Sequence, residues 1–309
     1  MKKLALLFSG QGAQHVGMGR DLYELSLEGK DLFDQADRLL QNGFKDVCFN
    51  GPEEKLTDTS YCQPALYVHG MALLTILKAE YPDFVFTACA GLSLGEFTAH
   101  AAAGHFSFAD GLNLVAVRGK LMQQACQATE GGMATLLGAT EEQAREVAKK
   151  TGLQVANINC PGQVVLSGEK ALIPKAVEIG GEMGLRKIIP LKVAGAYHSR
   201  LMQQAQDGLK NELSSVSLGS NGVPVYANIS GYPTKHEDEL RDSLIGQVTG
   251  SVLWEKCIRQ MMDDGIEQFI ELGPGRVLKG LCNRIKTPSP CLSAGNYEEL
   301  KGVLSELKG

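Results

Sequence analysis

A serine set between two glycines, Gly91-Leu92-Ser93-Leu94-Gly95, follows an apolar stretch, Asp83–Cys89, and precedes an alanine-rich helical stretch, Phe97–Ala103. Strand, Gly-x-Ser-x-Gly and helix in that order predict a nucleophile elbow. The glycines permit a sharp turn that lifts the hydroxyl above the sheet edge, and the N–H of Leu94 then points to where a tetrahedral oxyanion would form. The chemistry of such a serine is acyl transfer through a serine ester. A glycine-rich βα turn with an incidental serine is the plainer alternative; the flanking elements favour the nucleophile.

A serine hydroxyl needs a base, and of the six histidines His198 is the best placed. It lies in a small-residue loop, Ala194-Gly195-Ala196-Tyr197-His198, that follows a predicted strand at Arg186–Val193 and can set an imidazole over a cleft. An exposed or helix-capping histidine fits the same residues. His15, His69, His100, His105 and His236 read as structural or solvated. Asp110 is the only aspartate between Ser93 and His198 and falls in a helical stretch, so a Ser–His dyad oriented by backbone carbonyls is expected. Arg118, in a helix predicted over Leu112–Gln124, is either a solvated arginine or, packed closely at Gly119, a planar fork for a substrate carboxylate.

The scaffold follows from the pattern around these residues. Residues 2 to 9 form an apolar strand ending in Gly10-Gln11-Gly12-Ala13-Gln14. A dinucleotide fingerprint fails there, because His15 stands where the third glycine must allow close helix–strand packing. A loop that brings backbone N–H groups to the sheet edge carrying Ser93 is the better reading. Helices are predicted over 20–41 and 63–80, and the strand–helix alternation implies a parallel α/β core. Gly131-Gly132 interrupts it. A βαββαβ order follows: Met133–Gly138, the helix Thr140–Lys150, Val155–Ile158, Val164–Ser167, the helix Ala171–Met183, and Arg186–Val193. Val223–Ile229 and Gln268–Leu272 resume the larger sheet, and a short strand and helix end the chain. The expected fold class is α/β: an α/β-hydrolase-like large domain with a parallel sheet, residues 1–128 and 195–309, and an inserted ferredoxin-like subdomain, residues 129–194.

With 309 residues, 44% hydrophobic and 21% charged, the composition is that of a globular protein. A net charge of −5 gives no overall basic field and argues against a nucleic-acid partner. No apolar run approaches the ~20 residues of a membrane span, and the run after Met1-Lys2-Lys3 is too short for a signal peptide. A cytoplasmic protein, or a mature organellar form, is expected. None of the eight cysteines has metal-ligand or Cys-x-x-Cys spacing; they read as reduced packing residues.

Taken together, the motifs resemble the malonyl-CoA:acyl carrier protein transacylase family. The resemblance runs through Phe8-Ser9-Gly10-Gln11-Gly12-Ala13-Gln14, Gly91-Leu92-Ser93-Leu94-Gly95-Glu96, Arg118-Gly119-Lys120-Leu121-Met122 and Asn157-Ile158-Asn159-Cys160-Pro161-Gly162-Gln163. It continues through Gly195-Ala196-Tyr197-His198, Gln247-Val248-Thr249 with Val252 and Trp254, and Glu271-Leu272-Gly273-Pro274-Gly275. It implies Ser93 as nucleophile, His198 as base and later acid, and the N–H groups of Gln11 and Leu94 as oxyanion hole. Arg118 would hold the malonyl carboxylate and Met122 would line the pocket. Gln247 would orient His198 through its main-chain carbonyl. Tyr197 stands in a sequence similar to the Gly-Ala-Phe-His signature of malonyl-selective relatives.

The implied reaction is ping-pong, from malonyl-CoA to Ser93 and then to the phosphopantetheine thiol of acyl carrier protein, in fatty acid synthesis. The implied partners are acyl carrier protein and malonyl-CoA or CoA, with no nucleic acid or membrane. A monomer is expected, with no metal or cofactor beyond the coenzyme A thioester used as substrate. Two departures stand out: Leu92 replaces the family's usual histidine, and the segment after Gln247 lacks the usual proline before its valine, which predicts a looser loop near His198. A trans-acting polyketide acyltransferase, an editing hydrolase of acyl thioesters and a carrier-binding scaffold protein are the rival functions.

Overall fold

The structure, a computed structural model, describes residues 2–219 and 222–309. Met1, the first residue of the stretch weighed as a leader, lies outside them, as do Ser220 and Asn221. In chain order the strands are β1 (Leu4–Phe8), β2 (Ala88–Gly91), β3 (Gly131–Leu137), β4 (Gln154–Cys160), β5 (Gln163–Glu169), β6 (Lys187–Pro190), β7 (Gln268–Leu272) and β8 (Leu292–Ala294).

One sheet has the order β2-β1-β7-β8 and is parallel at every pairing. The run Leu-Ala-Leu-Leu-Phe of β1 is buried at every position, as a parallel strand covered on both faces requires. Leu4, Leu6 and Phe8 join one apolar cluster while Ala5 and Leu7 join another on the opposite face. The second sheet, β4-β5-β3-β6, is antiparallel at every pairing. Counted from its own first strand the order is 2-3-1-4, with the helices Glu141–Thr151 and Ile173–Glu182 after its first and third strands. That is the split βαββαβ topology. The fold is α/β, with a parallel sheet and a small ferredoxin-like antiparallel one.

Several predicted elements change length for physical reasons. The expected strand at Asp83–Cys89 is reduced to Ala88–Gly91, because pairing with β1 begins at Ala5–Ala88 and the chain before it is turned by Pro82-Asp83. The predicted helix 20–41 is two, Arg20–Leu25 and Leu27–Leu40, parted at Ser26, whose hydroxyl accepts the Gly29 N–H and caps the second. Val223–Ile229 makes only isolated bridges, at Val225 and Tyr226, since Asn228 turns to the elbow described below. Arg186–Val193 is strand only over Lys187–Pro190, with one further backbone bond from Leu191 N–H to Met133 O (2.9 Å) before the chain leaves β3.

The helix carrying Arg118 runs Phe108–Ala128 and packs on the long buried helix Thr59–Glu80. Gly119 is one close approach between them: a Cβ there would stand 2.4 Å from Thr59 O. β4 borders the loop after Gln247, with Ile158 N–H donating to Val252 O (2.9 Å) and Val252 N–H to Ala156 O (2.8 Å). Among the described residues no helix is long and apolar enough to cross a membrane.

Candidate active site

Ser93 sits between β2 and the helix Leu94–Ala102, with φ 53° and ψ −104°, a backbone that a non-glycine residue holds only under constraint. The constraint can be named. A Cβ on Gly91 would fall 1.9 Å from the Gly95 carbonyl, and one on Gly95 would fall 2.1 Å from Phe8 O, so both glycines are required by backbone approach. Asn228 clamps the turn, accepting the Ser93 N–H at 2.7 Å and donating to Gly91 O at 2.8 Å. Leu94 opens its helix, where N–H groups lack intrahelical partners, and Gln11 follows β1. Among the described residues the N–H groups of Gln11 and Leu94 donate to no acceptor.

Ser93 Oγ lies 2.8 Å from His198 Nε2, and His198 Nδ1 lies 2.7 Å from Gln247 O. A carbonyl can only accept, so Nδ1 carries the proton and Nε2 is left as the acceptor for the serine hydroxyl. Burial, and then the Arg118 charge, push the imidazole down to about 4, against the pull of the Gln247 carbonyl. Gln247 ends the helix Glu237–Gly246. The loop beyond it is tied: Val248 is buried, Gly250 N–H donates to Gly246 O at 2.9 Å, and the Thr249 hydroxyl bonds Gln206. Leu92, which stands where the family usually has histidine, is half-buried and lines the cavity above Ser93.

Arg118 is fully buried, so it is no solvated surface arginine. Its Nη2 donates to Ser93 Oγ at 3.0 Å and to Gln247 Oε1 at 2.8 Å, and its Nη1 donates to Gln63 Oε1 at 2.7 Å. Phe97 lies under the guanidinium, 5.3 Å from its centre. Burial lowers Arg118 to about 10, opposed by Glu96, and leaves it cationic at neutral pH. Met122, one turn on, accepts from Gln63 Nε2 at 3.3 Å, and Tyr197 OH accepts from Gln11 Nε2 at 3.3 Å.

Gln11, Met122, Tyr197, Ser93 and His198 line one cavity of about 260 Å³ that ends at the serine, with Arg118 and Gln247 behind it. A larger cavity, about 730 Å³ between Thr140, Arg145, Lys256 and Arg259, contains none of these residues. Gln63, Asn228 and Glu96 complete the site and were not singled out from sequence; Glu96 alone had a signal, as the last residue of the elbow motif. Among the described residues no three His, Cys, Asp or Glu side chains gather as metal ligands, and the eight cysteines are buried and free.

The acyl transferase domain family matches residues 5–294. The malonyl CoA-acyl carrier protein transacylase of Bacillus subtilis (strain 168) is 38% identical over 315 residues, covering 100% of this chain and 98% of that protein. The crystal structure of acyl-carrier-protein-S-malonyltransferase from Bartonella henselae superposes with a TM-score of 0.94 at 35% identity, covering 99% of this chain and 100% of the other. A malonyl-transacylase solved in complex with its type II PKS acyl-carrier protein is similar at 31% identity and a TM-score of 0.92, covering 98% and 99%. An elbow serine, a histidine and a buried arginine meeting at one oxygen, on a fold matched over its whole length, agree with that kinship: the chain belongs to the acyl transferase family, among the malonyl CoA-acyl carrier protein transacylases.

Proposed function

We infer that this chain carries a malonyl group from malonyl-CoA to the phosphopantetheine thiol of acyl carrier protein through an ester on Ser93. The observation that supports it best is the convergence of His198 Nε2 and Arg118 Nη2 on Ser93 Oγ, at 2.8 and 3.0 Å. As Oγ attacks the thioester carbonyl, Nε2 takes the hydroxyl proton. The oxyanion turns to the N–H groups of Gln11 and Leu94. Collapse expels the coenzyme A sulfur, which leaves with the proton from His198. In the second half the carrier thiol gives its proton to His198, attacks the ester, and Ser93 recovers its hydrogen. The malonyl carboxylate takes up Arg118 donors that otherwise rest on Ser93. No step calls for a metal or a cofactor beyond the thioester.

In this reading the work is divided between two units, residues 1–128 with 195–309 and residues 129–194. The separate apolar cluster of the small unit supports the division. A monomer in the cytoplasm is part of this reading, and the bacterial relatives support that place. Fatty acid synthesis is the first pathway assigned. The neighbour bound to a type II PKS carrier keeps a polyketide carrier as the second. Arg118 has no task in an editing hydrolase or a scaffold.

Incubating the protein with malonyl-, acetyl- and methylmalonyl-CoA and weighing it intact tests this. A stoichiometric malonyl adduct, absent from Ser93→Ala and discharged by holo acyl carrier protein, is the expected result. An adduct retained by Ser93→Ala would refute it.

A further inference from the structure

Glu96 is fully buried in the first turn of the helix that follows Ser93, where a carboxylate costs stability unless its oxygens are satisfied. Its Oε2 accepts the Asn228 N–H at 3.0 Å and Gln247 Nε2 at 3.0 Å. Its Oε1 faces Ser243 Oγ at 3.4 Å and His100 Nε2 at 4.0 Å. Burial pushes this acid up to about 7, with those hydrogen bonds and the Arg118 charge pulling the other way.

An amide side chain can sit in either of two orientations, and its neighbours decide which. Gln247 Nε2 donates to Glu96 and also to Ser93 O at 3.0 Å, while its Oε1 accepts from Arg118 Nη2 at 2.8 Å. Turned over, the amide would aim N–H groups at a guanidinium and an oxygen at a carboxylate and a carbonyl. We propose that Glu96 is a positioning residue: its carboxylate fixes the Gln247 amide so that Gln247 Oε1 holds Arg118 Nη2 at the reacting oxygen. Through Asn228 the same carboxylate also steadies the residue that clamps the Ser93 turn. Glu96 touches neither Ser93 Oγ nor the cavity; it acts through Gln247.

This inference rests on the malonyl-transfer reading, and a loss of acyl-group preference separates it from a purely structural role. The rate of Ser93 acylation is measured with malonyl-CoA and acetyl-CoA for wild type, Glu96→Gln and Glu96→Asp, with thermal unfolding followed alongside. The neutral glutamine can meet Gln247 with either end of its amide, and the aspartate is one methylene short. Both variants should lower malonyl loading by about 10-fold more than acetyl loading, the size of one misdirected charge-assisted hydrogen bond. An unchanged malonyl-to-acetyl ratio, an equal fall in both rates, or failure of both variants to fold would each overturn the proposal. Wild-type protein that takes no malonyl would instead refute the transfer reading itself, and this inference with it.

Discussion

Arg118 Nη2 and Ser93 Oγ are 3.0 Å apart, so the buried guanidinium rests on the nucleophile rather than at the far end of a pocket. That places a fixed positive charge where negative charge develops as the hydroxyl loses its proton. The same charge makes His198 a weaker base, since it adds to burial in lowering the imidazole. The site therefore sets a fixed cation beside the serine oxygen and pairs it with a base kept neutral across the physiological range.

His198 gives the first prediction. His198→Ala should slow Ser93 acylation by about 10²–10⁴-fold while the protein stays folded. The proton acceptor is the neutral imidazole, populated above its pKa, so the wild-type rate should be level through neutrality and fall as the pH drops through about 4. With acetyl-CoA as donor, Arg118→Ala should move that fall to higher pH, yet keep it below the ordinary histidine value because burial is the larger cause. Rapid-mixing rates against pH decide it; a wild-type fall near 6.5 would mean a solvated imidazole.

How much of this was legible in the sequence depended on how local each constraint is. The elbow was readable because its glycines, strand and helix are contiguous, and Gly119 beside Arg118 rightly signalled close packing. The βαββαβ order was readable for the same reason. Gln63 and Asn228 were not: each is one ordinary amide in a segment with no motif, brought to Ser93 or Arg118 only by the packing of distant elements. Asn228 also shows why the segment Val223–Ile229 joins the larger sheet only at Val225, beside β2, since its N–H and side chain serve Glu96 and the elbow rather than a ladder. The helix Glu237–Gly246, which delivers Gln247, is polar along most of its length and gave no periodic signal.

Tyr197 carries a prediction about acyl size. Its ring is mostly buried in the cavity wall and held through its hydroxyl to Gln11 at 3.3 Å, so it should narrow the space for an α-methyl branch. One methyl group in a shaped pocket is worth about 1–3 kcal/mol, so methylmalonyl-CoA should be disfavoured by roughly 10–200-fold. Tyr197→Ala should erase most of that difference. Equal kcat/KM for the two thioesters in wild type would remove Tyr197 from the selection of substrate.

Carrier docking is the third case. Arg276, Arg284 and Lys286, which follow β7, are exposed, and Arg276 is engaged by Glu299 at 2.7 Å. Arg186, Lys187 and Lys192 are exposed, and Lys192 borders the cavity above Ser93. An acidic carrier steered by this edge should unload malonyl-Ser93 more slowly as salt rises, while loading from malonyl-CoA changes less. Lys187→Glu with Lys192→Glu should lower the carrier step and flatten its salt slope. Identical slopes for both half-reactions would count against this edge.

The decisive prediction concerns Arg118, proposed to separate dicarboxylic from plain acyl groups. Arg118 is held in plane by Gln63 at Nη1 and Gln247 at Nη2, which aims the end of the fork at Ser93. A malonyl ester on that oxygen brings its free carboxylate to the fork, whereas an acetyl ester leaves a buried guanidinium short of an acceptor, at a cost of about 1–3 kcal/mol. Arg118→Ala should therefore lose malonyl loading and gain in relative activity with acetyl-CoA. Arg118→Lys should recover only part of it, because an ammonium cannot meet two carboxylate oxygens and two glutamine carbonyls in one plane. Acylation rates with both thioesters across the three proteins test it: a malonyl-to-acetyl ratio that stays constant would make Arg118 a structural cation and leave the carboxylate without a partner.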